Sequence, residues 1–179
     1  VVSGGELDRA IAAGMRPQDI VFSGVGKNAD EMIKGLNTGI GQFNIESEEE
    51  GRELSVIAET MDLRAKGALR VNPDVDAGTH GKISTGKAEN KFGVGIDRAK
   101  YVYTRLAALP GLKMQGIAVH IGSQLTSLAP LRTAFEKIGQ LLAYIRAAGV
   151  EVSHVDLGGG LGVPYRSDDV PPDPAEYGA

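Results

Sequence analysis

The sequence predicts an α/β protein built on a parallel sheet, and three observations carry that expectation. Short β-branched or aliphatic runs alternate along the chain with longer stretches of helical period, the form that βα units take in a sequence. In the first half the unit returns about every 20 to 25 residues, as it does in a barrel or a doubly wound sheet. The glycine-rich and polar stretches that interrupt the pattern fall directly after strand runs, at the carboxyl ends where such folds keep their sites.

The expected strands are, in order, residues 1–2 (VV), 19–23 (DIVFS), 41–45 (GQFNI), 66–72 (KGALRVN), 116–121 (GIAVHI) and 152–157 (VSHVDL). Helices fill the intervals. Two helix starts are legible because Asn28 and Ser47 each stand three residues before a glutamate, Glu31 and Glu50, that can reach back to a free amide. The acid-rich stretch 46–53 (ESEEEGRE) is therefore a helix opening, where carboxylates are favoured by the helix dipole, and no metal site is expected there or elsewhere. The clearest helix is 130–148, with Leu131, Phe135, Ile138, Leu142 and Ile145 at helical spacing and Gly149 as its stop. The interval from 72 to 116 is longer and holds an added polar loop, 73–95.

Composition narrows the function classes. With 42% hydrophobic and 23% charged residues over 179 positions, the chain has the material for one sizeable core. It has no cysteine, which removes disulfides, thiolate metal sites and a cysteine nucleophile and fits a reducing cytoplasm. A net charge of -4 with scattered lysines and arginines gives no footprint for nucleic acid. No apolar run reaches the length of a bilayer span, so no membrane partner is expected. The opening VVSGGEL and the closing VPPDPAEYGA both read as cut ends, as in an internal piece of a longer protein.

Two strand ends offer chemistry. After the strand at 152–157 come Gly158, Gly159 and Gly160, whose backbone amides can form an anion-binding concavity and approach an oxyanion closely. Taken alone, a bare triple glycine reads first as a tight turn needing positive φ. The dinucleotide fingerprint is not met by GGGLGVPYRS. The second strand end delivers His120, followed by Gly122, Ser123 and Gln124. An imidazole there can serve as acid, base or stacking ring, while the serine hydroxyl suits a phosphate oxygen. His80 and the three lysines of the loop 79–93 could form another anion site or a solvated excursion. SGVGK at 23–27 lacks the upstream glycine of a phosphate loop and has Asn28 where a hydroxyl residue should hold magnesium. His154, within a strand, reads as structural.

The segments SGGEL (3–7), FSGVGK (22–27), FNIES (43–47), RVNPDVDAGTH (70–80), STGKAENKFG (84–93), HIGSQ (120–124) and DLGGGLG (156–162) together resemble the diaminopimelate decarboxylases, in order and spacing across nearly the whole chain. Related ornithine and arginine decarboxylases share the glycine run but look different around RVNP, KFG and HIGSQ. The resemblance implies a pyridoxal-phosphate-dependent carboxy-lyase of fold type III that converts meso-diaminopimelate to lysine and carbon dioxide. It implies an incomplete parallel (β/α) TIM-type barrel, with about five or six of eight strands present, so that residues 1–179 are part of one cofactor-binding barrel domain. It implies that His120 is catalytic, its ring packed on the cofactor's pyridine face, that Ser123 and the amides of Gly158, Gly159 and Gly160 bind the cofactor phosphate, and that Arg70 helps order the same mouth.

By the same resemblance the Schiff-base lysine lies on a strand before Val1, since none of Lys27, Lys66, Lys82, Lys87, Lys91 or Lys113 occupies its motif. The EPGR-type segment and the β-rich second domain lie beyond the chain. The chain alone is then expected to be inactive, and the full-length protein to be a homodimer acting on a small amino acid. Two alternatives stay open: another decarboxylase or racemase of the same fold, and a non-catalytic module that binds pyridoxal phosphate or another phosphate ligand.

Overall fold

The computed structural model describes residues 1–76, 92–165 and 170–179; His80, Lys82, Lys87, Lys91 and most of the loop 79–93 lie outside these. Six strands are described: β1 (Val21–Phe22), β2 (Gln42–Ile45), β3 (Ala65–Asn72), β4 (Val94–Gly95), β5 (Leu112–Val119) and β6 (His154–Asp156). They form one parallel sheet in the order β1-β2-β3-β5-β6, with β4 pairing the last two residues of β3. The helices are α1 (Gly4–Ala12), α2 (Ala29–Thr38), α3 (Glu48–Thr60), α4 (Ile96–Ala107), α5 (Ala129–Ala147) and a short α6 (Pro174–Tyr177). The expected class holds: the parallel strands and their crossover helices make an incomplete TIM-type barrel.

Differences from the expected elements have local causes. Residues 1–2 are not a strand, although Val1 already pairs with the end of β1: its amino group donates to the Val21 carbonyl at 2.8 Å, and its carbonyl accepts from the Ser23 amide at 2.9 Å. Asp19 belongs to a 3₁₀ turn, Pro17–Asp19, where Pro17 presets the first dihedral, so β1 starts later than expected. Residues 112–115 extend β5 backward against β3, the register slipping at Gly67/Ala68, while His120 and Ile121 fall past its end. The short β4 escaped notice because two residues carry no periodic signal.

Asn28 builds a complete capping box, its side chain accepting from the Glu31 amide at 3.0 Å while Glu31 reaches back to the Asn28 amide at 3.1 Å. Ser47 caps α3 through the Glu50 amide at 3.1 Å, but the Glu50 carboxylate turns inward to Lys27 instead of closing its box.

The core lies between the sheet and its helices. Phe22 and Phe43 stack from adjacent strands with ring centroids 6.1 Å apart, and Met32, Ile45, Leu54, Leu69, Leu106 and Ile117 are fully buried around them. Each such side chain contributes about 1.5–3 kcal/mol relative to exposure. Helix α5 turns slightly from the expected stripe: Leu131, Ala134, Ile138, Leu141 and Ile145 are buried, and Phe135 and Leu142 flank them. No helix among the described residues is long and apolar enough to cross a membrane.

Candidate functional site

Two loops at the carboxyl ends of neighbouring strands are zipped together. One follows β5 and carries His120, Gly122, Ser123 and Gln124; the other follows β6 and carries Gly158, Gly159 and Gly160. The Leu125 amide donates to the Gly160 carbonyl at 2.8 Å, and the Gly162 amide donates back to the Leu125 carbonyl at 3.0 Å. The Gln124 side chain exchanges both its groups with the Val163 backbone, at 3.0 and 3.1 Å. The Gly159 amide points to His120 Nδ1, a long contact of 3.4 Å.

This zipper explains the missing side chains. A Cβ on Gly158 would stand 2.2 Å from the Val119 carbonyl oxygen, and one on Gly160 would stand 1.9 Å from that of Gly122. Both residues also take positive φ, +71° and +107°, which L side chains adopt at a cost. Bare backbone at these two positions is thus required by the neighbouring loop. Only Gly159 is open, with no atom within 4 Å of its Cβ position.

A cavity of about 530 Å³ opens at the joined loops, within the range of small-molecule sites. Its lining includes Ser23, Asn44, Arg70, Phe92, His120, Gly122, Ser123, Asp156 and Gly158, with Val2, Val25, Ala118 and Val119 as apolar wall. Of the residues singled out from the sequence, His120, Ser123, Arg70 and Gly158 therefore share one cavity, and Gly159 and Gly160 sit on its adjoining loop. His154 is exposed on β6 and does not line it.

Electrostatics inside the cavity are set by neighbours. Arg70 is held by Glu46, Nη1 to Oε1 at 2.7 Å, with both side chains largely buried, and its guanidinium lies 5.4 Å from the centre of the Phe92 ring. Burial, and then the Arg70 charge, push the His120 imidazole below the usual histidine range, while Asp156 opposes them. Both effects favour the neutral ring. The Gly158 amide already donates to Asp156 Oδ1 at 2.9 Å. Lys27, the lysine of the SGVGK segment, is buried: its ammonium donates to the Gly24 and Asn44 carbonyls at 2.6 and 2.8 Å and stands 2.8 Å from Glu50 Oε1. Burial raises the Glu50 pKa, and the Lys27 cation opposes the shift without cancelling it.

Sequence reasoning missed Asn44, Asp156, Ser23 and Phe92. One signal was present: Gln42, Asn44 and Glu46 alternate with Phe43 and Ile45 through a strand buried on both faces. Polar residues on one face of such a strand mark a polar interior, as at the centre of a barrel.

The donor set fits a flat, phosphorylated ligand. The Ser123 hydroxyl and the Arg70 guanidinium stand near apolar walls, the adjoining glycine loop and the half-buried His120 imidazole, which offers a stacking face. Among the described residues no lysine lines the cavity.

Comparison with known proteins follows the same direction. A family model described as pyridoxal-dependent decarboxylase, pyridoxal binding domain, matches residues 1–178. The chain is similar to the diaminopimelate decarboxylase of Zymomonas mobilis, 52% identical over 179 residues, covering 99% of this chain and 42% of the relative. The corresponding protein of Vibrio cholerae is 50% identical over 177 residues, with 99% and 42% covered. Among solved structures, diaminopimelate decarboxylase from Helicobacter pylori complexed with L-lysine superposes with a TM-score of 0.94 at 39% identity, over 98% of this chain and 44% of that one. The chain spans 42% of the length of the curated relatives it matches.

Proposed function

The chain belongs to the pyridoxal-dependent decarboxylases, and from that premise we propose that it forms part of the barrel of a diaminopimelate decarboxylase, which converts meso-2,6-diaminopimelate to L-lysine and carbon dioxide. The single observation that carries the proposal is the convergence of His120, Ser123, Arg70 and the Gly158–Gly160 loop on one cavity at the carboxyl ends of parallel strands. Residues 1–179 are then one part of a single (β/α)8 domain. Its lysine-bearing strand and a C-terminal β domain belong to the rest of a longer protein.

When bound, pyridoxal phosphate supplies a conjugated ring that accepts the electron pair left behind by carbon dioxide. The chain's own residues bind and orient. Ser123 Oγ would donate to the phosphate from the β5 loop, and the Gly159 amide would join it from the glycine loop by leaving its long contact with His120 Nδ1. His120 would offer its ring to the cofactor's pyridine face, and burial together with Arg70 favours its neutral form there. Arg70, fixed by Glu46, keeps a cation at the mouth. Homodimeric assembly and a cytoplasmic location complete the proposal, and the cysteine-free composition accords with the latter.

The test is turnover by the full-length protein with diaminopimelate, ornithine and arginine in parallel. Lysine and carbon dioxide from diaminopimelate alone are expected. Preference for ornithine or arginine would assign the protein to another decarboxylase of this fold, and no decarboxylation of any of them would leave a racemase or a binding module.

A further inference from the structure

In the cavity wall, polar side chains to which no role has yet been given form one continuous run of hydrogen bonds. Asn44 on β2 is 4% exposed. Its Nδ2 donates to Asp156 Oδ2 at 2.9 Å and to Ser23 Oγ at 2.9 Å, and its Oδ1 accepts from Gln42 Nε2 at 2.8 Å. Because a carboxylate offers only acceptors, Asp156 dictates which way this amide faces. The other Asp156 oxygen accepts the Gly158 amide at 2.9 Å. Both carboxylate oxygens are thereby engaged, one by β2 and one by the glycine loop, across 112 positions of sequence.

Leu125 and Gln124 tie the far end of the glycine loop, while Asp156 fixes its first residue, and Asn44 sets Asp156. Charged groups around the junction are Arg70 and His120 on the cavity side, Glu46 behind Arg70, and Lys27 with Glu50 behind the Asn44 carbonyl. The Asn44 amide is the group that donates to Asp156 Oδ2.

We propose that Asn44 is a positioning residue for the cofactor phosphate: through Asp156 it holds the Gly158–Gly160 loop in the turn that brings the Gly159 amide beside His120. This inference rests on the cofactor reading above, and its effect falls on the phosphate end of the ligand. The ring end would meet His120, which follows β5 and does not belong to the glycine loop.

The experiment uses the full-length protein freed of cofactor and measures dissociation constants for pyridoxal phosphate and for phosphate-free pyridoxal. Asn44→Asp sets two carboxylates against each other, and Asn44→Ala deletes the donor without adding charge. Each is expected to weaken pyridoxal phosphate about tenfold or more, the scale of a lost hydrogen bond to a charged group, with pyridoxal changed less than about twofold. The reciprocal exchange, Asn44→Asp with Asp156→Asn, again faces an amide with a carboxylate and leaves an oxygen for the Gly158 amide. It is expected to return phosphate preference to within about threefold of the parent.

Single variants that keep the parent's preference, an equal loss for both ligands, or an exchange no better than Asn44→Asp would each overturn the inference while leaving the cofactor reading intact. A parent that binds neither ligand overturns both. Should the single variants not fold, the exchange decides: parental preference supports the coupling, and its loss refutes it.

Discussion

Replacing each glycine of the triplet by alanine separates the two reasons for which a side chain can be excluded. At Gly160 a methyl would stand 1.9 Å from the Gly122 carbonyl oxygen and would have to accept φ of +107°. The backbone strain is about 1–3 kcal/mol, and the overpacking against backbone, which cannot swing aside, adds about 1–3 kcal/mol. Gly160→Ala should therefore cost about 2–6 kcal/mol of stability in urea unfolding of the full-length protein. Gly159→Ala meets no atom within 4 Å and should stay within about 0.5 kcal/mol of the parent. If the two variants were equally destabilised, or if Gly160→Ala were neutral, the claim that the adjoining loop dictates these glycines would be wrong.

Two further outcomes follow from buried charge. Lys27→Met removes the cation from a site where its side chain is fully buried and leaves the Glu50 carboxylate and two carbonyls without it; a loss of about 3–5 kcal/mol is expected by urea denaturation, and a change below about 1 kcal/mol would show that the pair is not structural. His120 bears on pH: its folded-state pKa lies below the ordinary value because of burial and Arg70, so the unfolded chain takes up its proton first as pH falls. The parent should lose stability from about pH 6.5 downward, and His120→Gln should lose less over the same window. Equal losses in the two proteins would remove His120 from the account.

Much of this was legible before any coordinates. Parallel βα organisation followed from alternating runs, and the α5 helix from Leu131, Ile138 and Ile145 at helical spacing. His120 and Ser123 were findable because they follow an apolar strand and interrupt it with polar groups. The reason for the glycines was not legible, since it lies in the carbonyls of Val119 and Gly122, some forty residues earlier. Asn44 and Asp156 were missed for a related reason. Their roles exist only as a bond between distant strands, and short-range periodicity carries no trace of such a pair. Ser47 and Glu50 show how a local pattern yields to tertiary context, for Glu50 leaves the capping box to meet Lys27.

The most direct measurement is the position of phosphorus in a crystal structure of the full-length protein loaded with pyridoxal phosphate. The expected location places phosphate oxygens within hydrogen-bond reach of Ser123 Oγ and the Gly159 amide, with the His120 imidazole over the pyridine face. A phosphate bound elsewhere, with these two loops facing solvent or another ligand, would contradict it.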